Sequence, residues 1–145
     1  MFDSVATYGA ALGVLAGVID SLAVDRVRMR AAADEGYITA TAIADELVRH
    51  GVPFRVAHHV VGRLVGAAEA AGTDLRGLDD EAFRASLLAA GEPGTAALAV
   101  DPATPGVLRA AAEIDAALAS CDVLGGTAPV RVSAAIAAAR RRLDE

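Results

Sequence analysis

Apolar side chains in this chain recur with a helical period, and no stretch of useful length alternates between apolar and polar residues. A period of 3.6 residues puts side chains on one face of a helix, whereas a half-buried strand needs a period of two. Apolar residues make up 54% of the chain and aromatic residues only 3%, which favours helices packed through small side chains. We therefore predict an all-α fold, a compact single domain of about six to seven helices over residues 1–145. The clearest inward face is predicted for Phe54, Ala57, Val61, Leu64, Val65 and Ala68.

Caps and turn residues predict where the helices begin and end. Gly51 and Gly72 have the position of C-terminal stops, and Asp79 follows a hydrophobic residue as a cap does. A turn is predicted at 91–94 and a loop at 101–106, since both stretches contain proline and glycine. The predicted helices are 2–22, 25–34, 40–50, 53–71, 80–90, 105–120 and 129–143.

The first 22 residues are apolar on nearly every side of a helix, with Gly9, Gly13 and Gly17 forming one stripe. Each glycine costs about 0.5–1 kcal/mol relative to alanine in a helix, so the stripe indicates close packing of a backbone or ligand. Tolerance within a well-buried helix is the alternative. A helix that is apolar all round is not expected to stay exposed on a monomer. We therefore predict an interface at these glycines and self-association, unless the rest of the domain covers the helix.

Composition excludes several functions. The chain has no Lys, Asn, Gln or Trp, so a Schiff-base lysine and a side-chain amide in an oxyanion hole are both absent. A net charge of −6 argues against a nucleic-acid partner, since the arginines are dispersed apart from Arg26/Arg28/Arg30 and Arg140 to Arg142. No metal-ligand spacing and no dinucleotide or phosphate-loop fingerprint occurs, so we predict neither a metal nor a cofactor.

A cytoplasmic location and no membrane association are predicted. The N-terminus lacks a basic signal-peptide region, and the apolar run at 8–19 is shorter than the ~20 residues of a membrane span. The single cysteine, Cys121, fits a reducing compartment. We interpret Cys121 as a small buried residue, the alternative of a nucleophile being disfavoured because all three histidines lie far away in sequence.

Three motifs carry a family resemblance. Residues 36–65 read GYITATAIADELVRHGVPFRVAHHVVGRLV, residues 125–129 read GGTAP, and residues 2–7 read FDSVAT. Together they resemble the C-terminal domain of argininosuccinate lyases, which are members of the fumarase/aspartase superfamily. The family's signature loop, of the form GSSxMPxKxN, carries its catalytic serine and has no counterpart in this sequence. The resemblance thus implies a free-standing domain without the family's catalytic region.

The resemblance also divides the chain into segments. Residues 36–72 correspond to a family-like helical pair, residues 125–145 to the GGTAP turn and final helix, and residues 1–22 to a helix of a bundle shared between subunits. Residues 89–124 depart from the family pattern as a divergent insert with helical character. We interpret this insert as covering apolar surface of a truncated domain, with walling of a new pocket as the alternative.

His58, Tyr37 and Asp45 are the candidate catalytic residues. An imidazole is well suited to general acid/base catalysis. The more favoured interpretation of His58 is structural, as a histidine hydrogen-bonded between helices to Asp45 or Thr41. Asp45 and Glu46 are sequence neighbours, and Arg49 at helical spacing predicts a surface ion pair with them.

Thr39, Thr41 and Arg26 are the candidate ligand-binding residues. The two threonine hydroxyls, with that of Tyr37, lie next to a helix N-terminus that suits a small anion, although the resemblance implies a structural role. Arg26 begins an Arg26/Arg28/Arg30 cluster suited to a carboxylate, with a surface role as the alternative.

Two functions follow from these observations. In the first, the chain is an oligomerising or binding accessory protein without lyase activity, which pairs with itself or with a lyase-like partner. In the second, it is a small recruited enzyme of a specialised biosynthetic pathway that performs proton-transfer chemistry, such as elimination, addition or cyclisation, on a small ligand.

Overall fold

A computed structural model describes the backbone of residues 2–144 and the side chains of residues 3–144. Within this range the chain is entirely helical, which confirms the all-α prediction, and its nine helices exceed the predicted six to seven. It divides into two compact units, residues 1–32 and residues 33–145. The helices are α1 (Phe2–Asp20), α2 (Arg26–Asp34), α3 (Ala40–Arg49), α4 (Phe54–Ala71), α5 (Asp80–Leu88), α6 (Pro93–Val100), α7 (Thr104–Ala111), α8 (Ile114–Ser120) and α9 (Pro129–Asp144).

Helix α1 dominates the first unit and is exposed along its whole described length, from residue 3 to residue 20. Its large apolar side chains lie on all sides, with Val14 70% and Ile19 63% exposed. The hydroxyl of Ser21 closes the helix by donating to the Gly17 carbonyl oxygen at 2.8 Å. No helix within residues 2–144 is both long and apolar enough to cross a membrane.

A helical hairpin of α3 and α4 forms the centre of the second unit. Gly51 turns the chain between the two helices with a φ of +85°, a conformation that glycine adopts without steric cost. Pro53 precedes the first residue of α4, where its missing N–H leaves no helical bond unmade. The face that α3 and α4 share is fully apolar and buried; it consists of Ala42, Ile43, Ala44 and Leu47 from α3, and Ala57, Val60, Val61, Leu64 and Ala68 from α4.

Helices α5 and α7 pack against this hairpin, α6 packs on α5, and together they complete the core. The Asp79 carboxylate caps α5 by accepting from the Ala82 amide at 2.8 Å, as predicted. Phe83 of α5 is fully buried, and the Arg109 guanidinium of α7 lies 5.2 Å from the centre of its ring. Arg109 also donates to the Leu78 carbonyl oxygen at 3.2 Å, so one side chain fastens α7 to the start of α5.

Two predicted stretches differ from the structure. Residues 91 and 92 of the turn predicted at 91–94 lie between α5 and α6, whereas Pro93 begins α6. The helix predicted over 105–120 is broken between α7 and α8, because Glu113 adopts an extended backbone conformation. These two changes account for the larger number of helices.

Two predicted burials are wrong. Phe54 is 63% exposed, because it is the first residue of α4 and lies at the end of the buried face. Cys121 is exposed, since it follows the last residue of α8, and its thiol donates to the Ala117 carbonyl oxygen at 3.5 Å.

The GGTAP sequence forms the turn that leads into α9. The Gly126 amide donates to the Val123 carbonyl oxygen at 2.9 Å. A Cβ atom on Gly126 would come within 2.0 Å of the Cys121 carbonyl oxygen, so this turn requires glycine. Ala128 is buried at its end, whereas α9 itself has no buried residue among those described.

Candidate functional site

A groove between α3 and α4 brings together three of the predicted site residues, Thr41, Asp45 and His58. It has a volume of about 290 Å³, and we refer to it as the α3–α4 groove. Helical spacing brings four lining residues from α3 and five from α4 to the same groove. They are Ala40, Thr41, Ala44, Asp45, Phe54, His58, Val61, Gly62 and Val65.

His58 lines this groove as an exposed side chain. Its ring stacks on that of Phe54, one helical turn earlier, with 6.3 Å between ring centres and 23° between planes. His59 meets it edge-on at 6.3 Å. Among residues 2–144, His58 makes no hydrogen bond to Asp45 or Thr41, so the predicted structural bond between helices is absent. His58, Asp45 and Thr41 nevertheless line the same groove.

Asp45 is exposed on α3, and its carboxylate has no ion-pair or hydrogen-bond partner among the described residues. Of the two carboxylates predicted to pair with Arg49, Glu46 forms the ion pair and Asp45 does not. His50 also approaches Glu46, with its Nε2 atom 3.4 Å from the carboxylate. Helix α3 therefore carries an ion-paired Glu46 next to Asp45, whose carboxylate has no ion-pair partner among the described residues.

A second groove, between α3 and α8, shares Thr41 and Asp45 with the first. It has a volume of about 250 Å³, and its walls are mainly apolar side chains such as Ile38 and Leu118. Thr39 also lines it, and the Thr39 hydroxyl makes no capping bond to α3. Ile114, Ala117, Leu118, Ser120 and Cys121 line it from the 89–124 segment.

Tyr37 is half-buried and does not line either groove. Its hydroxyl donates to the Thr73 carbonyl oxygen at 3.3 Å, just beyond the C-terminal end of α4. Its ring packs against the core. The structure therefore brings together His58, Asp45 and Thr41 in one groove, and Thr39, Thr41 and Asp45 in the other, but places Tyr37 elsewhere.

The remaining predicted residues belong to the first unit. Arg26 begins α2 and is exposed. The Gly9, Gly13 and Gly17 stripe is exposed as well, and a Cβ atom built on any of the three would meet no atom within 4 Å.

A charged cluster around Arg76 was not singled out from the sequence. Arg76 donates to the Asp74 carboxylate at 2.6 Å and also approaches Asp34 at 3.3 Å and Glu113 at 3.5 Å. The hydrogen bond from Arg76 lowers the pKa of Asp74 below its ordinary value, and the same bond raises the pKa of Arg76. The spacing of Asp74 and Arg76 was visible in the sequence, but their link to Asp34 and Glu113 depends on the fold.

No group of three or more His, Cys, Asp or Glu side chains within residues 2–144 has the arrangement of a metal site.

Comparison with known proteins gives the class of this domain. Residues 37–103 match the family described as argininosuccinate lyase C-terminal. The match covers α3 to α6, and thus the whole hairpin that forms the α3–α4 groove. Residues 37–103, which are less than half of the chain, are therefore similar to the argininosuccinate lyase C-terminal domain.

Whole-chain comparisons agree with this assignment. The chain is 39% identical to the argininosuccinate lyase of Nocardia farcinica over 140 residues, which is 97% of this chain and 27% of that enzyme. It is 41% identical to that of Halorhodospira halophila over 143 residues, which is 99% of this chain and 28% of the enzyme. The matched region is the C-terminal part of these enzymes. The chain thus spans little more than a quarter of the length of these relatives.

Proposed function

We propose that this chain is an assembly or accessory domain, which associates through α1 with further copies of itself or with a lyase-like partner. The observation that carries the proposal is the exposure of α1, an apolar helix whose described side chains are all in contact with solvent. Contiguous apolar surface of this kind is typical of protein interfaces. Burial of apolar surface contributes about 25 cal/mol per Å². Contact of α1 with a partner would bury such surface and therefore favour association.

The glycine stripe supports a helix as the partner. Gly9, Gly13 and Gly17 leave a groove without side chains along α1, and nothing fills it within 4 Å. Two helices approach more closely where side chains at the contact are small, because the interaxial distance depends on those side chains. The absence of lyase activity belongs to the same proposal, since the sequence has no counterpart of the GSSxMPxKxN loop.

Light scattering over a concentration range tests the association. We expect the chain to form a dimer or larger assembly, and Leu15→Glu to shift it towards monomer. Leu124→Glu is the matched control, because Leu124 is 98% exposed but lies outside α1. If the wild-type chain is monomeric at every concentration, the proposal of self-association is rejected. Mixing the chain with the full-length Nocardia farcinica lyase then tests the partner arm by the same method.

The α3–α4 groove supports a second candidate function, a recruited enzyme that performs elimination, addition or cyclisation on a small substrate. His58 and Asp45 line that groove, and both are groups that transfer protons. The test measures formation of conjugated double bonds by ultraviolet absorbance with small amino-acid derivatives as substrates. We expect turnover to be lost in the triple variant His58→Ala, Asp45→Ala, Tyr37→Phe. Turnover that survives in this variant rejects all three assignments.

A further inference from the structure

The free carboxylate of Asp45 is the most distinctive polar feature of the α3–α4 groove. Its neighbour Glu46 is paired with Arg49 and approached by His50, whereas Asp45 has no such partner in the described chain. An unpaired negative charge at the edge of an apolar surface attracts a cation, and the pair is stronger where water is partly excluded. The groove is therefore complementary in charge to a positively charged ligand.

Phe54 adds a second feature that suits a cation. Only five aromatic residues, three Phe and two Tyr, occur in the chain, and Phe54 is 63% exposed at this groove. Its ring is held by stacking on His58. An ammonium group within about 6 Å of the face of an aromatic ring is stabilised by the electrons of that face.

Apart from Thr41 and His58, the rest of the lining is apolar, and the volume of the groove suits a small ligand. Val61 and Val65 are buried or half-buried, and with Ala44 and Gly62 they provide hydrocarbon surface without further charge. The volume of about 290 Å³ is near the lower end of the range for small-molecule sites, about 300–1,000 Å³. A ligand that fits therefore has a small hydrophobic body.

We propose that the α3–α4 groove binds a small organic ammonium ion, with its charged nitrogen at Asp45 and Phe54 and its hydrophobic body on Val61 and Val65. The groove lies entirely within residues 33–145, so the inference does not depend on association through α1.

An NMR titration of the ¹⁵N-labelled chain tests the proposal with three probes of similar size: 2-phenylethylamine, 2-phenylethanol and phenylacetate. We expect the amine to shift the amide signals of Ala44 and Gly62, and to bind about three- to fivefold more tightly than the alcohol. Phenylacetate, which carries a negative charge, should bind more weakly than either. Equal affinities for the three probes, or no shift at these two amides, would overturn the proposal.

Two variants test whether the Asp45 carboxylate is the group that binds the ammonium ion. Asp45→Asn removes the carboxylate without changing the size of the side chain, so the affinity for the amine should fall to that for the alcohol. Glu46→Gln is the matched control on the adjacent residue and should bind the amine as the wild type does. The proposal fails if Asp45→Asn binds the amine unchanged, or if Glu46→Gln weakens binding as much as Asp45→Asn does.

Discussion

At the scale of single residues, Arg76 shows how one side chain joins distant parts of the sequence. Its guanidinium contacts carboxylates that precede α3, follow α4 and precede α8, at Asp34, Asp74 and Glu113. A network of this kind contributes more than an isolated surface pair, because one ordered side chain serves several partners. Removal of the Arg76 side chain should therefore destabilise the second unit.

We expect Arg76→Ala to lower the free energy of unfolding by about 1–2 kcal/mol, measured by urea denaturation. Arg131→Ala is the control, because Arg131 makes one exposed ion pair, with Asp122 at 2.5 Å. That control should lose less than about 0.5 kcal/mol. Equal losses in the two variants would mean that the Arg76 network adds nothing beyond a single surface pair.

The same network predicts a dependence on pH. The pKa of Asp74 is lowered in the folded state from an ordinary value of 3.8. Its ion pair therefore stabilises the fold above that value, and the stabilisation is lost as pH falls through the folded-state pKa. We expect the difference in unfolding free energy between wild type and Arg76→Ala to be full at neutral pH and to shrink below about pH 4. A difference that stays constant into acid would contradict the assignment.

At the scale of helices, α4 offers two glycines with opposite expectations. Gly72 ends α4 with a φ of +64°, whereas Gly66 lies inside the helix, and a Cβ atom there would meet nothing within 4 Å. Gly72→Ala should lower the unfolding free energy by about 1 kcal/mol, because the left-handed conformation is strained for alanine. Gly66→Ala should raise it by about 0.5–1 kcal/mol through better helix propensity. Thermal and urea unfolding measure both, and the same sign for both variants would refute this explanation.

The helix ends also show what the sequence predicts well. Gly72 and Asp79 were identified as a stop and a cap, because each role depends on local backbone conformation and a hydrogen bond within a few residues. Pro93 was assigned to a turn, although proline is equally suited to the first turn of a helix. Local sequence leaves that choice open, and packing of α6 against α5 decides it.

The candidate site was predictable only in part, because helical spacing is a local property and packing between helices is not. Helical spacing placed His58 at the border of the buried face, and His58 lines a groove there with Asp45 and Thr41, without the predicted hydrogen bond to either. The exposure of Phe54 was missed, because a helical period does not tell how far the partner helix extends along the face. The groove between α3 and α8 is lined by residues that lie far apart in the sequence. The periodicity of a single helix does not predict which distant segments come together.

At the scale of the whole molecule, the core belongs to one unit. Every buried residue of the described chain lies between Ala42 and Ala128, and residues 3–32 contribute none. The free energy of folding of the second unit should therefore not depend on α1. Exposed large hydrophobic side chains occur in both units, and α1, which contributes nothing to the core, carries Val5, Tyr8, Leu12, Val14, Leu15, Val18 and Ile19 among them.

This separation predicts the behaviour of a chain shortened to residues 33–145. We expect it to unfold cooperatively at nearly the urea midpoint of the full chain and to be monomeric by light scattering, because it keeps the core and lacks α1. Circular dichroism should show the loss of helical signal that corresponds to α1 and most of α2. A shortened chain that still associates would place the interface in the second unit, and one that fails to fold would show that residues 1–32 are required for its core.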